Sequence, residues 1–396
     1  MPCAVVDLAA FDHNGGLMAS RVTAPGLTIR VATKSLRVPE LIRRALTVLG
    51  ARARGLMTWS AAETRWLAEH GFDDFVLAYP VSQPHEVRHL AALAELGKTV
   101  RIMVDCEEHL ALLARHLPAQ SPADPESTGP GSVTLCLDID ASLRLFGDRV
   151  HLGVRRSPLH APNDAVALAD RARRLGQNVT AVMSYEAQVA GLRTRNPGSR
   201  HLDPVRRLVR ERSKPVVAER RHRIVSALRA AGHPIDLVNG GGTGSLDSTP
   251  LDGSVTEVTV GSGFFSPHLF DHLEHLPLRP AAFFLLPITR FPAPGFVTAS
   301  GGGYIASGPP AGDRAPIVHA PAGLSPLSAE SFGEVQTPFA LTENAPALGL
   351  GDPIVCRHAK AGELFERFDR VQLVDLATAT ALGTAETYRG LGVTDG

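Results

Sequence analysis

Residues 236–245, DLVNGGGTGS, run a short apolar segment straight into a glycine-rich turn. Glycines let backbone N–H groups approach an anion closely, and Thr243 adds a hydroxyl donor. The pattern repeats at 256–263, TEVTVGSG, where the apolar segment ends in Gly261-Ser262-Gly263. Working back from these two stretches, short apolar runs predict strands at Ile29–Thr33, Arg54–Thr58, Phe75–Tyr79, Val100–Asp105, Val133–Asp138 and Val179–Ser184. With Asp236–Asn239 and Glu257–Val260 they make eight. Between them lie SAAETRWLAEHG, CEEHLALLARHL, DAVALADRARRLG and AERRHRIVSALRAAG, with apolar residues at three- and four-residue spacing and several ending on glycine. Eight such units in about 260 residues are the count and size of an α/β (β/α)8 TIM barrel. An open doubly wound sheet, which usually has fewer strands, is the alternative.

The texture changes after residue 270. AAFFLLPIT, GFVTASGGGYIAS, DPIVCRHAK and RVQLVDL are short, β-rich and broken by Gly and Pro. The chain therefore reads as a barrel domain over 1–268 and a C-terminal antiparallel β domain over 269–396. AQSPADPESTGPGS at 119–132 reads as a mobile Pro/Ser/Gly loop. RTRNPGSRHLDPVRRLVRER, 193–212, reads as the solvated basic face of a helix ahead of the next pattern.

Composition narrows the class. The 396 residues, 44% hydrophobic, suffice for two cores. Forty basic and forty acidic residues cancel, so no global field points to nucleic acid or a membrane surface. Cys3, Cys106, Cys136 and Cys356 form no CxxC pair and fit reduced thiols. MPCAVVDLAAFDHN lacks a basic n-region and apolar core, and no run approaches a membrane span. The expectation is a soluble cytoplasmic protein.

Only Lys34, Lys98, Lys214 and Lys360 are lysines, against 36 arginines (40 minus four). A lysine amine can shed its proton and attack a carbonyl, which arginine cannot. Lys34, in IRVATKS, ends the first predicted strand. The C-terminal strand ends of a barrel form its active face, and loops after strands 7 and 8 are the usual phosphate position. A surface lysine on a loop is the plain alternative; two glycine loops at the phosphate position favour a joint amine and phosphate site.

On these residues the chain resembles the fold-type III pyridoxal-phosphate (PLP) enzymes, in the D-threonine aldolase/D-serine dehydratase-like branch of the alanine racemase superfamily. The segments that carry the resemblance are VATKS, GLMTWSAAETRWLAEHGFDDFVLAYPV, VMSYEAQVAG, VNGGGTGS and TEVTVGSGFF, and it covers essentially the whole chain. It implies that Lys34 holds PLP as a Schiff base and later serves as a base at the substrate Cα. Gly241, Gly242, Thr243, Gly261 and Ser262 would bind its phosphate. Tyr185 would contact the ring or the substrate, unless it is a buried cap on the sixth strand. The PLP phenolate oxygen would meet His151 or Arg155, in HLGVRRSP, a choice the residues leave open. A homodimer is implied too, each site completed by the partner's β domain, with small amino acids and aldehydes as the other partners.

One segment departs from the family pattern. Its aldolases and dehydratases carry a divalent metal on a His and, two residues later, a Cys or Asp; here these positions are His358 and Lys360. A protonated lysine has no lone pair to give a metal. Three readings stay open: Lys360 supplies the positive charge in the metal's place, His358 and Glu363 bind a metal with a rearranged shell, or the metal is lost and Lys360 is a surface residue. The resemblance implies a lyase for β-hydroxy-D-amino acids, cleaving or forming Cα–Cβ, with His358 serving the β-hydroxyl. The alternatives are a dehydratase, a racemase with Tyr304 as second base, and a non-catalytic PLP-binding protein.

Overall fold

A computed structural model describes residues 1–117, 131–146, 148–309 and 312–393; nearly all of the loop predicted at 119–132 lies outside them. By contacts the chain forms two compact units. One comprises Met18–Lys34 and Leu49–Gly261; the other comprises Met1–Leu17, Ser35–Val48 and the chain from Ser262 onward.

The first unit is a closed barrel of eight parallel strands: Thr28–Ala32, Ala53–Thr58, Phe75–Leu77, Val100–Val104, Val133–Asp138, Val179–Ser184, Leu237–Gly240 and Glu257–Val260. They follow one another round the barrel in chain order, and pairing of Glu257 with Thr28 closes it. Each coincides with a predicted strand to within two residues at either end. Apart from Ala53–Thr58, the strands are buried on both faces, so they read as near-continuous apolar runs without alternation. Val76, Met103, Cys136, Ala181, Met183 and Leu237 fill the interior, with Met57 and Tyr185 packed against them.

Ions plug the opposite end. Arg30, wholly buried, pairs with Glu257 at 2.6 Å and Asp74 at 3.0 Å, and Arg101 reaches Asp74 and Asp236 at 3.1 Å each. All five lie at or near the N-terminal ends of strands, which leaves the C-terminal end as the open mouth.

The basic stretch 193–212 runs into one long helix, Asp203–Ala230, and is not simply a solvated face. Arg210 is buried on Asp247 at 2.6 Å, and further along Arg220 donates to the carbonyls of Asp140 and Ser142. The arginines of this helix thus tie down loops at the barrel mouth.

The second unit is a nine-stranded sheet in the order Leu324–Pro326, Gln336–Leu341, Phe296–Ser300, Ala282–Arg290, Cys3–Asp7, Arg370–Asp375, Thr380–Glu386, with Pro353–Arg357 joining Ala282–Arg290 to Ile317–Ala320. It is antiparallel except where Cys3–Asp7 lies parallel to Arg370–Asp375. Phe11 stacks on Phe264 at 4.8 Å within this unit. Among the described residues no helix is long and apolar enough to cross a membrane, and all four cysteines are unbridged.

Candidate active site at the barrel mouth

Lys34 lies in the single turn Thr33–Ser35 just beyond the first barrel strand. The turn is pinned where the Thr33 hydroxyl donates to the Met57 carbonyl at 3.0 Å. The exposed Lys34 Nζ donates to the Tyr79 hydroxyl at 2.9 Å. Tyr79 stands two residues past the third strand and Tyr185 directly after the sixth. Arg156 bridges the two rings, its guanidinium 5.6 Å from the Tyr79 centroid and 5.5 Å from that of Tyr185. Burial would push the Tyr79 phenol up, but the Lys34 charge and hydrogen bond, with Arg156, together hold it below its ordinary value. Tyr185 is pushed up by its burial. The phenol next to the amine is thus the more acidic; Tyr185, more deeply buried, has no such amine to offset its burial.

Asp138, the last residue of the fifth strand, is buried nearby, and burial, with Asp105 and Asp140 adding to it, raises its carboxyl to about 7. A folded-state value above the ordinary 3.8 gives stability that is complete below that value and is lost as pH rises through about 7. At about 1.4 kcal/mol per tenfold change in acidity, the loss is at most about 4 kcal/mol. Asp138→Asn removes this cost. In cofactor-free protein, its stability relative to wild type is expected to rise between pH 4 and pH 8, as read by urea denaturation. A difference independent of pH would refute the assignment.

The turn after the seventh strand is built around Glu186, only 3% exposed. Glu186 accepts from the Gly241 N–H at 3.0 Å, from the Arg221 guanidinium at 3.1 Å and from the Thr249 hydroxyl at 2.5 Å. Gly241 has φ +75°, and a Cβ there would sit 2.9 Å from Ser245 Oγ. At Gly244 a Cβ would fall 2.0 Å from the Ala190 carbonyl oxygen. Neither position accepts a side chain. Gly242 lies against Tyr185, whose Cε2 would be 3.5 Å from a Cβ, so the turn and that ring share a wall. The Gly241 amide is committed to Glu186 and the Gly242 amide to Ser245 Oγ at 3.1 Å; Gly241 therefore shapes the turn. Ser35, next in the chain after Lys34, and Ser262, next after Gly261, bring their hydroxyls to 3.2 Å.

Lys34, Tyr185, Gly241, Gly242, Thr243 and Gly261 all follow barrel strands at the mouth. His151 sits in a small hairpin, Leu143–Leu145 with Val150–Leu152, its Nε2 3.2 Å from the Val154 carbonyl oxygen. Arg155 and Arg156 are both exposed, and of the two it is Arg156 whose guanidinium reaches the tyrosines. Sequence reasoning passed over Tyr79, Asp138, Arg156 and Glu186; all but Arg156 stand at or within two residues of a barrel-strand end, and that position was the available signal. At the end of the fourth strand Asp105, Cys106 and His109 bring ligand atoms within 4.8 Å of one another, though His109 Nδ1 already meets Asp105 at 3.1 Å.

Two candidates lie in the sheet unit, beside a cavity of about 260 Å³. His358 is 2% exposed, and neither ring nitrogen has a hydrogen-bond partner among the described residues. Burial, with the charges of Arg357 and His268, lowers it to about 3; the Ala282 backbone opposes this without meeting hydrogen-bond geometry. The Lys360 ammonium donates to Ser307 Oγ at 3.1 Å. Ser307 in turn gives its hydroxyl hydrogen to Glu363 Oε1, and its N–H to Glu363 Oε2 at 2.8 Å. The imidazole offers a lone pair, but the position two residues on offers an ammonium, and each Glu363 oxygen already accepts a hydrogen bond from Ser307. This donor set does not fit a two-ligand divalent site.

Residues 6–266 match the family model described as the alanine racemase N-terminal domain. A D-threonine aldolase of Arthrobacter sp. is 26% identical over 309 residues, which are 76% of this chain and 71% of that protein. Among solved structures, a D-threonine aldolase from Filomicrobium marinum has a TM-score of 0.75 at 20% identity, covering 98% of this chain and 95% of that one. The D-threo-3-hydroxyaspartate dehydratase from Delftia sp. HT23 has a TM-score of 0.72 at 18% identity, covering 98% and 97%.

Proposed function

The chain belongs to the alanine racemase N-terminal domain family, and from that footing we propose that it is a PLP-dependent lyase acting on β-hydroxy-D-amino acids, by aldol cleavage or the reverse addition. The observation that carries this reading is the Lys34 amine held at 2.9 Å from Tyr79 Oη at the same barrel mouth as the glycine turn after the seventh strand. Amine and cradle are the two ends that PLP requires. The glycines that exclude any Cβ, and the buried Glu186 that holds the loop, fit a phosphate-bearing cofactor. Lys34 would hold it by its amine, Thr243 would meet the phosphate at the glycine turn, and Arg156 the phenolate oxygen beside Tyr79 and Tyr185. When bound, PLP supplies the electron sink for charge left at Cα.

The protein's own groups then do the following. Tyr79 accepts a hydrogen bond from the Lys34 ammonium, and its lowered pKa favours the phenolate, the form that can take a proton from that ammonium and become the phenol. Lys34, so discharged, moves a proton at Cα. Tyr185, kept protonated by burial, packs beside the glycine turn and limits water there. The relatives' names supply the substrate class, and the reading includes a homodimer. A dehydratase is the second reading, favoured by the likeness to the hydroxyaspartate enzyme's fold.

Purified protein loaded with PLP is expected to release aldehyde from D-threonine and none from L-threonine. Keto acid in place of aldehyde would move the assignment to the dehydratase, and appearance of the L-isomer to a racemase. The arginine assignment has its own check. Arg156→Ala is expected to raise the dissociation constant for PLP about 10- to 100-fold, the worth of a charge-assisted hydrogen bond. Arg155→Ala should stay within about twofold, because of the two exposed arginines it is Arg156 that stands over the tyrosine rings. Equal losses in a PLP titration would refute the assignment to Arg156.

A further inference from the structure

The cavity in the sheet unit is walled by Tyr304, Ser307, His358, Lys360, Glu363 and Arg367. A divalent cation needs several donors with lone pairs. It would find one imidazole, an ammonium two residues away, a carboxylate hydrogen-bonded through both oxygens to Ser307, and the guanidinium of Arg367. Glu366, the remaining carboxylate on the wall, is ion-paired with Arg37. A hydroxyl meets the opposite situation. Its oxygen can accept from the ammonium, its hydrogen can go to an imidazole nitrogen that has no other partner, and both groups line one small space. Buried polar atoms without partners are uncommon in folded proteins and call for a ligand or water. Ser307 and Glu363 hold the ammonium in place, so its charge is fixed before any ligand arrives.

We propose that this cavity binds the hydroxyl of a β-hydroxy amino acid between Lys360 and His358, and that no divalent metal is needed there. The identity of the hydroxyl compound rests on the lyase reading above; the exclusion of a metal does not.

Equilibrium dialysis of the holoprotein against Zn²⁺ and, separately, Mn²⁺ tests the second half. Wild type is expected to retain no stoichiometric ion after chelation and dialysis, and its turnover should be unchanged by the chelator. Lys360→Cys, which puts a thiolate where the ammonium was, is expected to gain about one Zn²⁺ per chain with His358. A stoichiometric ion in wild type that His358→Ala loses would overturn the proposal. For the first half, Lys360→Met is expected to lower kcat/KM for D-threonine about 10- to 100-fold, the cost of losing a hydrogen bond from a charged group. Added metal should not restore it. An unchanged kcat/KM, or rescue by Zn²⁺ or Mn²⁺, would overturn it as well. Should wild type cleave no β-hydroxy-D-amino acid, the lyase reading falls, and the dialysis result alone still decides the metal question.

Discussion

Lys34→Ala is expected to give a folded protein that no longer retains PLP and whose cleavage of D-threonine falls by at least about a thousandfold, since both the covalent anchor and the proton-moving group are removed together. Folding should survive because the side chain is exposed and the turn around it is held by Thr33 and the Met57 carbonyl; surface changes of this kind shift stability by about 0.5 kcal/mol or less. Lys34→Arg separates anchoring from charge. It keeps a cation near Tyr79 but cannot give up its proton, so activity should be lost to the same degree. The phenol of Tyr79 provides a second readout. In Lys34→Ala its titration should move upward, because burial then acts with only Arg156 left to oppose it. Covalent labelling of wild type by borohydride reduction in the presence of PLP, followed by mapping of the modified peptide, checks the anchor directly. Labelling that persists in Lys34→Ala would place the anchor elsewhere.

How far the sequence carried this picture depended on the range of the forces involved. All the barrel strands but Ala53–Thr58 were legible because they are buried on both faces, and a run such as Val133–Asp138 shows it as near-continuous apolar character. Cys3–Asp7 was not read as a strand of the sheet. Its pairing partners begin at Ala282 and Val371, and nothing local in CAVVD says which unit it joins. Lys34 and the glycines were legible because their residue types carry the chemistry: an amine that can lose a proton, and positions that exclude a Cβ. Arg156 was harder to single out. Two adjacent arginines in a loop have no period to tell which one faces inward, and only the two tyrosine rings decide it. The long helix misled for a related reason. Its basic face looked solvated because the acids that neutralise it, Asp247 for Arg210 and Glu186 and Asp252 for Arg221, come from loops far away in the chain.

Glu186 is where that hidden electrostatics supports the site, and its loss is expected to be the most destabilising single change at the barrel mouth. The carboxylate gathers the Gly241 amide, the Thr249 hydroxyl and the Arg221 guanidinium, and Arg221 is itself only 2% exposed. Removing one partner of a buried ion pair usually costs about 3–5 kcal/mol because the other charge stays buried. Here Asp252 still meets Arg221 at 2.5 Å, which lowers the expected loss for Glu186→Ala to about 3 kcal/mol, including the two donors left without an acceptor. Glu186→Gln keeps the shape and one acceptor oxygen, so about half that loss is expected. Because the Gly241 amide and the turn that follows are held by this carboxylate, PLP affinity should fall in the same order, Ala below Gln below wild type. Urea midpoints of the cofactor-free proteins and PLP titrations of the folded ones measure the two effects separately. If Glu186→Ala keeps the wild-type midpoint, the carboxylate is not the brace of the glycine turn, and the cradle must owe its shape to the Ala190 contact at Gly244 instead.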